Sequence, residues 1–311
     1  MKFLVVGVGA LGSVYLAFLS KAGHRAVGLL KKGRVLQNIS VEGIWGTFEQ
    51  RVKVIDDLSL LDFEPDLVIL TVKSYDTEQA LKTIEPLQKG KSLLLVAQNG
   101  YGNYEKAVEL FGEGRVILAR VIFGAQLLGW GHVKVTVCGD DVVIGDPIHK
   151  VDETLLQELA KTFQRAGIPT RYDREVYRHL WDKILYNCAL NPLGALFQKR
   201  YGELVENPYT KELMDYVIEE AFEVIKAHSI PTFWDAPHLY KEHFYRRLVP
   251  PTAEHHPSML EDLRRGKTEI DALNGALVEL GRQKGLALPT NWTIVKLIKA
   301  QERFNLGLVH L

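Results

Sequence analysis

The sequence has few cysteines, no excess of either charge and no apolar run long enough to cross a bilayer. Only Cys138 and Cys188 occur, in neither CxxC nor metal-ligand spacing, which argues against a disulfide scaffold and favours a reducing, cytoplasmic compartment. Basic and acidic residues are equal at 38 each, so no net field attracts the chain to nucleic acid. The apolar run at residues 3–8 is interrupted by glycine, far short of the roughly 20 residues that span a bilayer. We therefore expect a buried strand there, and neither a nucleic-acid nor a membrane partner.

Internal repeats, low-complexity tracts and a long linker are also absent from the sequence. Its histidines are scattered without a carboxylate or cysteine at ligand spacing, so we expect no metal site. At 311 residues the chain exceeds the size that one hydrophobic core usually serves, and two domains are expected.

The two halves of the chain differ in their hydrophobic pattern. Up to about residue 170, short apolar runs between glycine and aspartate alternate with helical stretches, which predicts a Rossmann-like, doubly wound parallel sheet. The alternating segment 131–145 predicts an antiparallel hairpin appended to that sheet. The second half shows helical periodicity without strands, over Glu175–Phe197, Pro208–His228, Ser258–Arg265, Thr268–Lys284 and Trp292–Asn305. We predict an α/β domain at 1–172, an all-helical domain at 173–311, and a ligand cleft where they join.

A glycine-rich turn follows the first predicted strand. Gly7, Gly9 and Gly12 fit GxGxxG, with Ala10 and Leu11 between them and a predicted helix after them. The first glycine allows a tight turn, the second lets the backbone approach a pyrophosphate, and the third lets the helix pack on the strand. The pyrophosphate would lie at the helix N-terminus, where free N–H groups favour an anion.

Basic residues stand where NAD-preferring domains usually carry an acid. Lys31 and Lys32 follow the second predicted strand, and no acid occurs between them and Glu42. They predict a site for the 2′-phosphate of NADP, the alternative being a solvated charge pair. Lys73, after the strand that begins at Asp66, is a second candidate for the adenosine phosphate or ribose.

Three polar residues, Lys183, Asn187 and Asn191, recur every four positions on the predicted helix 175–197. This spacing places them in one row on one helix face. The row is either a solvated stripe or a binding site, and the poor helix propensity of asparagine favours a binding site. Pro192 directly after it predicts a kink or the end of the helix.

The sequence resembles the ketopantoate reductases, which reduce 2-dehydropantoate with NADPH. The resemblance rests on GxGxxG, TVKS at 71–74, QNG at 98–100, WDKILYNCALNPLGAL at 181–196 and SMLEDLRRGKTEIDALNG at 258–275, and it covers the whole chain. It implies that Lys183 donates a proton to the forming alkoxide and that Asn187, Asn191 and Ser258 bind the substrate. It further implies that Glu269 is an acid near cofactor and substrate, that Asn99 also lies near both, and that Lys73 and Ala125 contact the cofactor. On this basis 1–172 is the expected NADP-binding domain and 173–311 the expected substrate and catalytic domain.

The residues alone leave some of these roles open. Without the resemblance, Glu269 would be interpreted as a surface charge before an amphipathic helix. Tyr201 stands where some family members have an asparagine, which leaves a different small 2-keto acid as an alternative substrate. A non-catalytic NADPH-binding sensor is a further alternative, and the helical half is the candidate interface of a homodimer.

Overall fold

The computed structural model describes residues 1–307, which form two compact units. The first unit comprises Met1–Gln98 and Asn103–Tyr177, and the second comprises Asn99–Gly102 and the described chain from Arg178 onward. The predicted functional division between 1–172 and 173–311 stays a prediction. Within residues 1–307 no helix combines the length and the apolar character needed to cross a membrane.

The first unit is built on an eight-stranded sheet in the order β12-β11-β8-β7-β6-β1-β2-β5. Its neighbouring strands are parallel except β11 and β8, which pair antiparallel. The strands of the unit are β1 Lys2–Val6, β2 Arg25–Leu29, β3 Asn38–Gly43, β4 Phe48–Arg51, β5 Lys53–Ile55, β6 Leu67–Leu70, β7 Leu93–Val96, β8 Val116–Arg120, β9 Phe123–Gly129, β10 His132–Cys138, β11 Val142–Gly145 and β12 Thr170–Tyr172, and its helices are α1 Ala10–Lys21, α2 Thr77–Ile84, α3 Asn103–Phe111 and α4 Glu153–Arg165.

The sheet has the strand order of a dinucleotide-binding domain. Counted along the chain, the strands β1, β2, β5, β6, β7 and β8 lie in the order 3-2-1-4-5-6. The central strands β1 and β6 are buried almost throughout, because helices cover both faces of such a sheet. The predicted doubly wound fold is confirmed, and the winding direction reverses between β1 and β6.

A second, four-stranded sheet in the order β4-β3-β10-β9 belongs to the same unit. The hairpin predicted within residues 131–145 is wrong in its pairing, because β10 pairs with the preceding β9 and β11 joins the large sheet. Gly139 and the polar residues after it separate two strands with different partners. Alternation along one strand indicates a half-buried face but not which strand lies beside it.

The second unit is helical, as predicted. Its helices are α5 Val176–Phe197, α6 Tyr201–Glu206, α7 Pro208–Ala227, α8 Pro237–His243, α9 Ser258–Arg264, α10 Asn274–Gln283 and α11 Pro289–Asn305. The single helix predicted over residues 268–284 is wrong, because Glu269 and Leu273 have non-helical backbone angles on either side of a short 3₁₀ turn. Helical periodicity in the sequence did not reveal this break, which holds a candidate site residue.

Helix α5 continues to Phe197, as predicted from its periodicity, so of the two outcomes predicted at Pro192, a kink or an end, the end is wrong. A proline in a helix cannot donate to the carbonyl four residues earlier, here that of Cys188. The side chain of Asn274 supplies the missing donor, with Nδ2 3.1 Å from the Cys188 carbonyl oxygen. The orphaned acceptor is therefore satisfied from a distant helix, and α5 continues past the proline.

Candidate active site

The three glycines after β1 have different surroundings. Gly7 has φ +93°, and a Cβ there would lie 2.5 Å from Val72 Cγ1. A Cβ on Gly12 would lie 2.0 Å from the Gly7 carbonyl oxygen, whereas one on Gly9 would meet no atom within 4 Å. Two of the glycines thus permit close packing within the protein. Gly9 leaves open space beside the backbone, which fits a pyrophosphate.

The N-terminus of α1 lies directly after this open glycine. Gly9 is its N-cap residue, no side chain caps it, and no acidic residue occurs in the first turn. The N–H groups of Ala10 and Leu11 at the start of the helix thus have no partner within the helix. Together with the helix dipole they favour an anion at this position.

The three candidate phosphate-binding lysines follow the carboxyl ends of β2 and β6, the two strands that flank β1 in the large sheet. Lys31 and Lys32 are exposed after β2, and Lys73 is half-buried at the start of a short 3₁₀ turn after β6. Lys31 Nζ lies 3.0 Å from Asp76 Oδ2, although 79% of the Lys31 side chain is exposed. Sequence reasoning missed this ion pair, which solvent exposure makes weak.

Ala125 lies on β9 of the small sheet, opposite Val135 of β10. The residue is half-buried, and it is not at the carboxyl end of a strand of the large sheet. Its cofactor contact stays a prediction.

In the second unit, the row on α5 is not a solvated stripe. Asn187 and Asn191 are 7% and 6% exposed, and Lys183 is half-buried. Among residues 1–307, the Asn187 amide has no hydrogen-bond partner. The Asn187 amide is not among the fully enclosed atoms without a partner, so it keeps some contact with solvent and is suited to bind a ligand.

Lys183 is anchored by the short segment Asn99–Gly102 that belongs to the same unit. Its Nζ donates to Asn99 Oδ1 at 2.5 Å. The segment is held in turn by Ala272, whose carbonyl oxygen accepts from Tyr101 N at 2.8 Å. Gly100, with φ +85°, permits this approach, because a Cβ there would lie 2.4 Å from the same oxygen.

The loop between α9 and α10 carries Glu269, which is 6% exposed. The interpretation of Glu269 as a surface charge is therefore wrong. On one side of it, Thr268 donates from N and Oγ1 to Glu302 Oε1, each at 2.7 Å. On the other side, Asn274 donates to the Cys188 carbonyl on α5. The carboxylate thus lies in a loop that is fixed at both ends.

Asn274 also belongs to a series of hydrogen-bonded polar side chains. Its Nδ2 also lies 2.9 Å from Asn291 Oδ1, and Asn291 Nδ2 donates to Glu220 Oε2 at 2.7 Å. Glu220 accepts from the first backbone N–H groups of α11 at Thr290 and Asn291. This series of hydrogen bonds therefore links the N-terminus of α11 to the middle of α5.

The far end of the row contacts Tyr201. Its hydroxyl donates to Asn191 Oδ1 at 2.6 Å, and the ring is 3% exposed. Ser258, by contrast, is exposed at the start of α9, and no hydrogen bond joins it to the row in the described chain. Burial raises the pKa of Cys188 well above its usual value, consistent with its predicted role as a small buried hydrophobe.

The structure thus brings Lys183 and Asn99 together, and it buries Asn187, Asn191 and Glu269 in the same unit. Sequence reasoning missed the supporting residues Thr268, Asn274 and Glu302. One sequence signal pointed to a support of this kind: Pro192 inside a helical pattern requires a donor from elsewhere for the Cys188 carbonyl.

Comparison with known proteins places both halves of the chain in one family. Residues 3–148 match the family model described as ketopantoate reductase PanE/ApbA, and residues 175–302 match the model of its C-terminal part. A 2-dehydropantoate 2-reductase of Aquifex aeolicus is 59% identical over 306 residues, 98% of each chain. One from Pyrococcus horikoshii is 31% identical over 99% of each chain.

Solved structures agree with this relationship. A PanE/ApbA family ketopantoate reductase from Ralstonia eutropha has a TM-score of 0.86 and 30% identity, over 98% of this chain and all of that chain. A D-mandelate dehydrogenase solved with NADH and anilino(oxo)acetate, 22% identical with a TM-score of 0.85 over 98% of this chain and 99% of that chain, shares the fold. The chain is a member of the ketopantoate reductase family.

Proposed function

We propose that the protein reduces 2-dehydropantoate to pantoate, with NADPH as the hydride donor and Lys183 as the proton donor. The observation that carries this proposal is the half-buried Lys183 ammonium on Asn99, with the unpartnered amide of buried Asn187 one helical turn away. The name of the relative that is 59% identical supports the substrate.

Reduction of a 2-keto acid develops negative charge on the carbonyl oxygen, and bound NADPH would supply the hydride. The transition state therefore requires a cationic proton donor and fixed hydrogen-bond donors beside it. In the proposed mechanism Lys183 donates the proton from Nζ to this oxygen, while Asn99 orients the ammonium by accepting one of its N–H bonds. The helix fixes the backbone of Lys183 and Asn99 holds its ammonium, so the donor is already positioned when the substrate binds.

The remaining predicted residues would each make a different contact with the keto acid or the cofactor. Asn187, Asn191 and Ser258 would bind the oxygens of the substrate, and Asn99 would contact substrate and cofactor. Glu269 would act as the buried acid near both, held by the loop that Thr268 and Asn274 fix. A buried carboxylate near a lysine favours the charged ammonium, which is the form that donates a proton.

NADPH is the proposed cofactor because the turn after β1 and the lysines around it suit its phosphates. The backbone at Gly7, Gly9, Ala10, Leu11 and Gly12 would bind the pyrophosphate. Lys31 and Lys32 would pair with the 2′-phosphate, and Lys73 with the adenosine phosphate or ribose. Lys31 would exchange its half-buried partner Asp76 for the doubly charged phosphate.

A panel of 2-keto acids, followed by the loss of NADPH absorbance, tests this proposal. We expect the largest kcat/KM with 2-dehydropantoate. A larger value for another branched keto acid would favour the second candidate, a reductase of a different small 2-keto acid, which Tyr201 beside the substrate row motivates. Tight NADPH binding without turnover of any keto acid would instead indicate a sensor. A cytoplasmic homodimer stays a prediction, which fractionation and sedimentation of the purified protein would test.

A further inference from the structure

Tyr201 and Asn191 form a hydrogen-bonded pair at the end of the row on α5 that is farthest from Lys183. Both side chains are buried, and the distance from Tyr201 Oη to Asn191 Oδ1 is 2.6 Å. Tyr201 begins α6, and its backbone N donates to the His255 carbonyl oxygen at 3.1 Å. The ring also contacts Tyr186 and His255, with centroids 5.8 and 5.5 Å away. The hydroxyl group is thus held in place from several sides.

The direction of the bond follows from the partners that are available. Burial raises the pKa of Tyr201 well above its usual value, so the hydroxyl keeps its proton. Within residues 1–307 that hydroxyl bonds only to Asn191. Its proton must therefore point to the Asn191 carbonyl oxygen, because the amide nitrogen cannot accept a hydrogen bond.

The part of the Asn191 amide that Tyr201 leaves available, the Nδ2 group, is consequently a hydrogen-bond donor. With Oδ1 occupied by Tyr201, the two N–H bonds of Nδ2 have no acceptor in the described part of the chain. Nδ2 is not among the fully enclosed side-chain atoms without a partner, so this nitrogen retains some contact with solvent. An amide without the tyrosine could turn over and present its oxygen instead, as the two orientations have nearly the same shape.

We propose that Tyr201 is a positioning residue that fixes the Asn191 amide so that it presents N–H groups, and not a carbonyl oxygen, to the substrate. The role rests on the proposed function. It predicts that this end of the row binds an oxygen acceptor of the keto acid. A substrate with an N–H or another donor at that point would meet no acceptor.

The test compares buried Tyr201 with half-buried Tyr186, whose hydroxyls have different partners. Tyr201→Phe removes the bond to Asn191, whereas the control Tyr186→Phe removes a bond to Thr252 Oγ1 of similar length, 2.7 Å. We expect Tyr201→Phe to raise KM for the best keto acid about fivefold to tenfold, the scale of one hydrogen bond of about 1 kcal/mol. Its kcat and its KM for NADPH should change less than about twofold, as should all three constants in Tyr186→Phe. Equal effects of the two variants on KM for the keto acid would overturn the proposal.

Asn191→Asp tests whether Asn191 matters because it offers N–H groups to the substrate or only because it packs in the interior. The carboxylate has nearly the same shape and still accepts from Tyr201, but it offers no N–H to the substrate. We expect it to raise KM for the keto acid at least as much as Tyr201→Phe does. If Asn191→Asp kept a normal KM, the pair would serve packing alone and the proposal would be wrong.

A double-mutant cycle followed by thermal unfolding tests the hydrogen bond between Tyr201 and Asn191 in the absence of substrate. The Tm losses of Tyr201→Phe and Asn191→Ala should be less than additive in the double variant, because either change already removes the bond. Those of Tyr186→Phe and Asn191→Ala should add. Additive losses for the Tyr201 pair would refute the bond itself, whereas inactivity of the unmodified enzyme toward every keto acid would refute only the proposed function.

Discussion

The two units hold their candidate functional groups in different ways. In the first unit the predicted pyrophosphate contacts are backbone N–H groups of one short turn, and their geometry depends on three glycines within six residues. In the second unit the predicted contacts are side chains on α5, and their supports come from far along the chain. Asn99 is 84 positions from Lys183, and Asn274 is 86 positions from Cys188.

This difference determines which changes each unit tolerates. A turn made of backbone is sensitive to the steric effect of one added Cβ. Its supports are few: Gly7 N donates to the Leu29 carbonyl oxygen, and the Thr71 hydroxyl donates to the Gly7 carbonyl oxygen. A row of side chains fails when any of its supports is removed, even a support that never contacts the substrate. The second unit should therefore contain more positions where a substitution outside the site reduces activity.

The largest expected effect is that of Lys183→Ala, which removes the proposed proton donor. We expect kcat to fall by about 10²-fold or more, the usual scale for the loss of a general acid. Steady-state assays at saturating NADPH measure it, with Lys199→Ala as control, a lysine of the same unit that pairs with Glu203 at 2.7 Å on the surface. Turnover of Lys183→Ala near that of the control would contradict the assigned role.

A large effect is also expected where a support of the second unit is removed. Asn274→Ala leaves the Cys188 carbonyl without a donor, which should cost about 1–3 kcal/mol in the free energy of unfolding. In a Pro192→Ala background the new backbone N–H can bond to that carbonyl, so the same substitution should cost less. Urea unfolding of the four proteins measures the coupling.

The same four proteins show whether Asn274 positions α5 for substrate binding or only stabilises the fold. If Asn274 acts through α5, its loss should raise KM for the keto acid more in the protein that keeps Pro192 than in the Pro192→Ala background. Equal losses of stability in both backgrounds would show that Asn274 does not compensate for the proline.

The sequence allowed most of the first unit to be predicted, and less of the second. GxGxxG directly after a buried strand predicted the turn, although not the Thr71 hydroxyl that donates to the Gly7 carbonyl oxygen at 2.7 Å. The spacing of Lys183, Asn187 and Asn191 predicted a row, but not that Tyr201 would occupy one amide oxygen. The break at Glu269 and the passage of α5 through Pro192 depend on Thr268, Glu302 and Asn274, which contact them only in the folded chain. Periodicity carries no information on such contacts.

In the first unit, the next prediction concerns Lys31 and Lys32, the two lysines after β2. Replacing Lys31 and Lys32 with glutamine should raise KM for NADPH about tenfold, the scale of one charge-assisted hydrogen bond of about 1.5 kcal/mol, and leave KM for NADH nearly unchanged. Lys53→Gln is the matched control, because Lys53 is exposed on the adjacent β5 and pairs with Asp62 at 3.3 Å. Asp76→Asn, which frees Lys31, should lower KM for NADPH. Equal changes for both cofactors would remove the 2′-phosphate assignment.

The smallest expected effect concerns His255, which contacts Tyr201 in the second unit. Burial, with a smaller contribution from the charge of His256, lowers the pKa of His255 below its ordinary 6.5. The unfolded chain therefore binds a proton more readily than the folded one, and stability should decrease as pH falls from 6.5 toward the lowered pKa. His255→Asn should flatten this part of the urea-midpoint profile, and His256→Asn should flatten it less, since it removes only the smaller cause. An unchanged slope between pH 5 and 7 in His255→Asn, a window set about the ordinary value, would show that the imidazole is not buried in its neutral form.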